Sequence, residues 1–208
     1  MVRERKEEAS QPSAARRRFL DAARKEFAAK GYAGASIRSI TRTLRMRESS
    51  FYAHFKSKKE AYDELFREAG PQVMASLAAT VNSSQPMAEE LTRLANSAMS
   101  SWTSPNARAS TSILLREVFG SGGRKRRQLL EGVSEALDAL QKSFQGWQKR
   151  GSIPRELDAR TLAYQFVAPL ITTRLLFYTE GSSAADQKTG RELIMKHVQA
   201  FVRLIAKS

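Results

Sequence analysis

Apolar residues recur along the chain at the three-to-four spacing of amphipathic helices, and turn residues cut the pattern into segments. Phe19, Leu20, Ala23 and Phe27 make the inner stripe of a first helix, predicted from Ser13 or Ala14 to Lys30, with Gly31 as its stop. Ile37, Ile40 and Leu44 form a second stripe behind Ser36 as cap, and Phe51 and Phe55 a third on a short helix over 48–55. Ser57, with Glu60 three residues on, opens a fourth helix near Lys58. That helix carries Tyr62, Leu65 and Phe66, then Val73, Leu77 and Val81, and Gly70-Pro71 is expected to kink or break it. Further helices are predicted over residues 86–102, 105–119, 124–150, 158–180 and 185–207. With no strand pattern and no internal repeat, the expected fold is all-α with about nine helices.

The residues off the stripes between Ser36 and Lys59 carry the chemistry. Arg38, Thr41, Arg42 and Arg45 give the second helix a wet, cationic face, and Arg45-Met46-Arg47 leaves room for a tight turn. Ser49, Ser50, Tyr52, Ala53 and His54 remain on the outer side of the third. Two short helices joined by three or four residues, the second bearing hydroxyls in a cationic surround, make a helix-turn-helix whose second member fits the major groove.

The run FAAKGYAGASIRSITRTLRMRESSFYAHFKSKKEAYDELF resembles the DNA-binding segment of the TetR family of bacterial transcriptional regulators. The likeness rests on Phe27, Gly31-Tyr32, Ser36, Ile37, Ile40, Phe51-Tyr52, His54-Phe55, Lys58 and Glu60, and covers about residues 14–66. Where the family has Ala and then Ala-Gly-Val, this chain has Thr41 and Leu44-Arg45-Met46, so Arg45 is expected to adopt a backbone conformation that suits glycine. Arg47-Glu48 replaces the usual Ser-Lys at the start of the recognition helix, so the DNA sequence read does not transfer. The expected DNA-contacting set is Ser36, Arg38, Thr41, Arg42, Arg47, Ser49, Ser50, Tyr52, His54, Lys56 and Lys58. Lys58, a cation in a helix's first turn, is expected to share a phosphate with backbone N–H groups.

Composition narrows the function classes. The 208 residues are 41% hydrophobic and 27% charged, an ordinary globular balance, and no apolar run approaches the length of a membrane span. There is no cysteine, hence no disulfide and no thiolate site. MVRERKEEASQPS lacks a signal peptide's apolar segment, and a cytoplasmic location is expected. Net charge is +14, and residues 1–66 hold 16 Lys+Arg against 9 Asp+Glu, half of that charge in a third of the chain. Such a footprint predicts salt-dependent binding to nucleic acid. No hydrolase, metalloprotease or nucleotide-binding motif is present, so no catalytic or metal residue is assigned.

The expected organisation is a disordered tail over 1–12, a DNA-binding domain over 13–68, and an effector-binding and dimerisation domain over 69–208. The segment 158–178 is apolar around most of its circumference, which calls for cover on more than one side. A second copy of the chain supplies it, through Leu162, Phe166 and Leu170 with Leu193, His197, Val198, Phe201 and Leu204 of the last helix. Dimerisation of this kind is also what the resemblance implies. It further implies an effector cavity, for which Trp102, Phe119, Phe144, Trp147, Tyr164, Phe166 and Phe177 are aromatic candidates. Arg174, a cation in an apolar helix, needs a partner, either across the dimer or on a ligand. The expected function is a homodimeric, ligand-released repressor on a near-palindromic double-stranded operator, its small-molecule effector lipophilic or anionic, with no cofactor and no membrane partner. A sequence-tolerant DNA binder without effector, or an all-α enzyme, are the alternative readings.

Overall fold

The computed structural model describes residues 14–69, 71–119 and 123–206, without the side chains of 68, 69, 71, 117–119 and 123–125. The N-terminal tail, the loop around Gly120 and the Phe119 side chain lie outside what is described. The described residues form ten α-helices and no strand. They are α1 (Ala14–Gly34), α2 (Ile37–Thr43), α3 (Glu48–Tyr52), α4 (Lys58–Ala69), α5 (Pro71–Ala79), α6 (Met87–Trp102), α7 (Pro105–Phe119), α8 (Gly123–Lys149), α9 (Ala159–Phe177) and α10 (Ala184–Ile205). Gly70, where the sequence predicts a kink or break, lies outside the described residues, and α4 and α5 are the described stretches on either side of it. No helix of the described residues is long and apolar enough to cross a membrane.

The chain divides into two compact units between Leu65 and Phe66, inside α4. In the first unit α1 runs past its predicted end, because a helical turn resumes after a break at Gly31 (φ 70°, ψ 177°). That backbone region is essentially closed to residues with a Cβ. Phe19, Phe27, Ile40, Phe51, Phe55 and Leu65 are fully buried and make the core of this small helical unit. Arg16 of α1 lies over the Phe55 ring at 4.4 Å and pairs with Glu64 of α4, tying the two helices at the rim of that core.

In the second unit α8 packs along α5 and α9, and α10 along α6 and α9. Leu91, Leu94, Leu140, Phe144, Phe166, Leu170 and Ile194 fill the centre. Helix caps follow the sequence: Asp158 accepts from Thr161 N at 2.7 Å at the start of α9, and Ser183 and Asp186 make a capping box at the start of α10. Glu90 on α6 accepts from Asn82 N and from Arg93, which in turn donates to the Thr80 carbonyl, so one ion pair closes the α5–α6 turn.

Candidate nucleic-acid interface

The reading head is assembled by caps and by one aromatic cluster. Ser36 Oγ accepts from Ser39 N at 3.0 Å while Ser39 Oγ lies 3.2 Å from Ser36 N, and this reciprocal box starts α2. α2 ends in a turn in which Met46 N donates to Thr41 O and Arg45 N to Arg42 O. Those are the two bonds of a Schellman close, and they require a left-handed residue between them. Arg45 takes that conformation, with φ 54°. The strain expected from the missing glycine is therefore present.

α3 is shorter than its predicted 48–55, a single helical stretch over Glu48–Tyr52 continued by a turn in which the N–H groups of His54 and Phe55 both donate to Phe51 O. Phe51 plugs the core, edge-on to Phe19 at 5.7 Å and tilted against Phe55 at 5.1 Å. That anchor turns the opposite side outward. Ser49 and Tyr52 are exposed, Ser50 is half-buried, and Arg38, Arg42, Arg47 and Lys56 are exposed around them. Ser49, Arg38, Arg42, Arg47 and Lys56, all able to contact phosphate or bases, are thus exposed on the same two helices and their flanks as Tyr52.

Three expected contacts sit elsewhere. Thr41 is buried, its hydroxyl donating to Arg38 O, because the inner face of α2 is wider than the Ile37–Ile40–Leu44 stripe and takes in Ser39 and Thr41. His54 is half-buried, its ring 5.6 Å from Phe19, since the chain leaves α3 as a turn and swings the imidazole back toward α1. Lys58 donates from Nζ to the Tyr32 and Ala35 carbonyls at 2.7 and 2.8 Å and lies 4.4 Å from the Tyr32 ring centre. Its charge is spent on the orphan carbonyls at the end of α1, where a cation is favoured, and not on an anion at the start of α4. The first turn of α4 is held instead by Ser57 Oγ, accepting from Glu60 N, and by Glu60, accepting from Lys56 N.

Residues 19–69 match the family model described as bacterial regulatory proteins, tetR family. The sequence likeness to that family thus lies in the N-terminal segment that holds α1 to α4. No curated protein sequence matches it. Solved structures of this fold include GusR of Salmonella enterica, 18% identical with a TM-score of 0.72, the likeness covering 95% of this chain and 98% of that one. The ketosteroid transcriptional regulator KstR2 of Mycobacterium tuberculosis is 19% identical, with a TM-score of 0.69 over 95% and 98% of the two chains. SmeT in its triclosan complex is 18% identical, with a TM-score of 0.72 over 94% and 93%. At these identities the likeness establishes the fold of both units. The family matched by residues 19–69 is one of bacterial regulatory proteins.

The second unit holds an apolar cavity of about 100 Å³ walled by α5 to α9. Of the expected ligand residues, Trp102 and Arg174 line it. Phe144, Trp147 and Phe166 are buried in the core beside it, Trp147 with its Nε1 donating to Gln85 O, while Tyr164 is 59% exposed and Phe177 half-buried. Sequence reasoning missed Val73, Leu77, Leu129, Val133, Val167 and Ile171, plain aliphatics whose only signal is helical spacing. It also missed Thr111, wholly buried, whose Oγ1 accepts from Arg174 Nε at 3.2 Å.

The expected dimer residues divide in two. Leu162, Phe166, Leu170, Val198 and Phe201 are buried within this one chain, on the arcs that α9 and α10 turn toward each other and toward α6 and α8. They are core, so a partner subunit is not needed to cover them. The outward arcs carry Tyr164 and Leu176 on α9 and Leu193 and Leu204 on α10, the last 83% exposed. His197 lies half-buried between the two sets, its Nε2 3.2 Å from Phe166 O. Burial holds its pKa below the ordinary imidazole value, and the Phe166 carbonyl opposes that only in part.

Proposed function

We propose that the chain is a repressor that binds a near-palindromic operator as a homodimer and is released from it by a small molecule. The observation that carries DNA reading is the outward surface of α2 and α3, where Arg38, Arg42, Arg47, Ser49, Tyr52 and Lys56 are all exposed. In this reading Arg38, Arg42 and Lys56 hold phosphates and fix register. Ser49, Ser50 and Tyr52 meet base edges, and Arg47 reaches guanine from the start of the helix. Ser36, whose hydroxyl caps α2, adds a phosphate contact at the rim.

Homodimerisation is supported by the apolar side chains on the outward arcs of α9 and α10, Leu176 being 66% exposed and Leu204 83%. Joining two such faces removes them from water at roughly 25 cal/mol per Å², and a two-fold operator requires a pair of reading helices about 34–36 Å apart. Release by a ligand is supported by the cavity and by its connection to α4. Leu114 lines the cavity and packs on Phe66, which stands on the same helix as Lys58. A ligand preferring one setting of that helix shifts the population toward it. SmeT, of like fold, has been solved with triclosan bound.

Selection of bound duplexes from a random pool tests the reading. An enriched inverted repeat is the expected result, with affinity falling steeply as salt rises. A pool that yields binding without symmetry leaves a sequence-tolerant DNA binder in its place.

A further inference from the structure

The cavity of the second unit combines a greasy wall with a half-buried cation. Of its thirteen lining residues twelve are apolar, and the thirteenth is Arg174. Among the contacts that orient the guanidinium, Nε donates to Thr111 Oγ1 at 3.2 Å, and the Arg174 guanidinium carbon stands 5.7 Å from the Trp102 ring centre. A flat fork with a fixed plane at an apolar wall is the geometry that receives a carboxylate edge-on. Desolvation pushes the Arg174 pKa down to about 10. An anion entering the cavity meets an opposite charge in its wall, whereas an amine is repelled and a polyol loses its hydrogen bonds to water against aliphatic side chains.

Size sets the rest of the ligand. The cavity measures about 100 Å³, and an engineered apolar void of about 150 Å³ in another protein takes up benzene. One ring or a short branched chain is therefore the upper limit.

We propose that the cavity binds a small lipophilic acid, its carboxylate on the Arg174 fork and its single ring or short chain among Trp102, Leu77, Val133 and Ile171. This rests on reading the second unit as the effector-binding one, and adds the chemical class of the effector.

Benzoate is the probe and benzyl alcohol its neutral counterpart, each titrated calorimetrically into the full chain. The expected result is one site per chain with benzoate tighter by about 10- to 100-fold, the range of a hydrogen bond to a charged group. Arg174→Met should erase that preference and leave the alcohol bound. Ala136→Leu, which fills the void and keeps the arginine, should abolish both, and it decides the matter if Arg174→Met does not fold. Benzoate no tighter than benzyl alcohol, a preference that survives Arg174→Met, or acid binding that persists in Ala136→Leu overturns the proposal. Operator affinity is measured in parallel. Benzoate that binds at Arg174 and leaves operator affinity unchanged keeps the site and removes its role as effector site; release by the neutral ligand alone keeps the effector reading and removes the acid.

Discussion

Arg45 is held at φ 54° by a turn whose two backbone bonds admit a left-handed residue only. For a residue with a Cβ that conformation costs about 1–2 kcal/mol, a penalty glycine escapes. Arg45→Gly is therefore expected to raise the melting temperature of the reading head. If the arginine also touches phosphate, the same change weakens operator binding, so melts and binding curves should move in opposite directions. Lys58 makes a second residue-scale case. With its ammonium on two backbone carbonyls, Lys58→Ala should cost about 1–2 kcal/mol of stability. The salt dependence of DNA affinity should barely change, while loss of a phosphate contact would lower the slope by about one unit. Measuring affinity at several salt concentrations separates the two roles.

At the scale of elements, α3 works because one side chain is sunk and its neighbour is not. Phe51→Ala should destabilise by about 3–5 kcal/mol, since it empties the centre of the aromatic cluster. Tyr52→Ala should melt like the parent and lose operator affinity; the reverse order in thermal melts would show the helix facing the other way. Much of this element was legible in sequence. The Ser36 cap, the Ser57–Glu60 start of α4 and the strained Arg45 all follow from local chemistry that a short window contains. What failed was rotation about the helix axis. Thr41 and the stripe Leu162–Phe166–Leu170 were assigned outward because polarity, or apolarity all round, cannot say which arc meets a neighbour. Lys58 failed for a related reason: the carbonyls that take its charge lie more than twenty residues back, at Tyr32 and Ala35. The cavity wall was legible only at its chemically marked points, Trp102 and Arg174, because the aliphatics around them read like any other core.

At the scale of the whole molecule, the proposal of a two-fold reader depends on the outward arcs of α9 and α10. Leu204→Glu on α10 puts a charge where the side chain is already 83% exposed. The isolated chain should therefore fold as before, while sedimentation shifts from dimer to monomer and operator affinity drops with it. Phe166→Ala is the complementary change: it should lower the melting temperature through the chain's own core. A Leu204→Glu protein that still sediments as a dimer would move the subunit contact elsewhere.

The half-buried imidazole at the edge of that face should make the fold sensitive to mild acid. Because burial lowers the folded-state pKa of His197 from 6.5, both states are neutral above that value and its contribution is flat. As pH falls through about 6.5 the unfolded chain takes up the proton first, so the native state loses ground progressively until the folded-state pKa is passed. Urea denaturation midpoints taken from neutrality down to about pH 5 should fall more steeply for the parent than for His197→Gln, the gap opening only on the acid side.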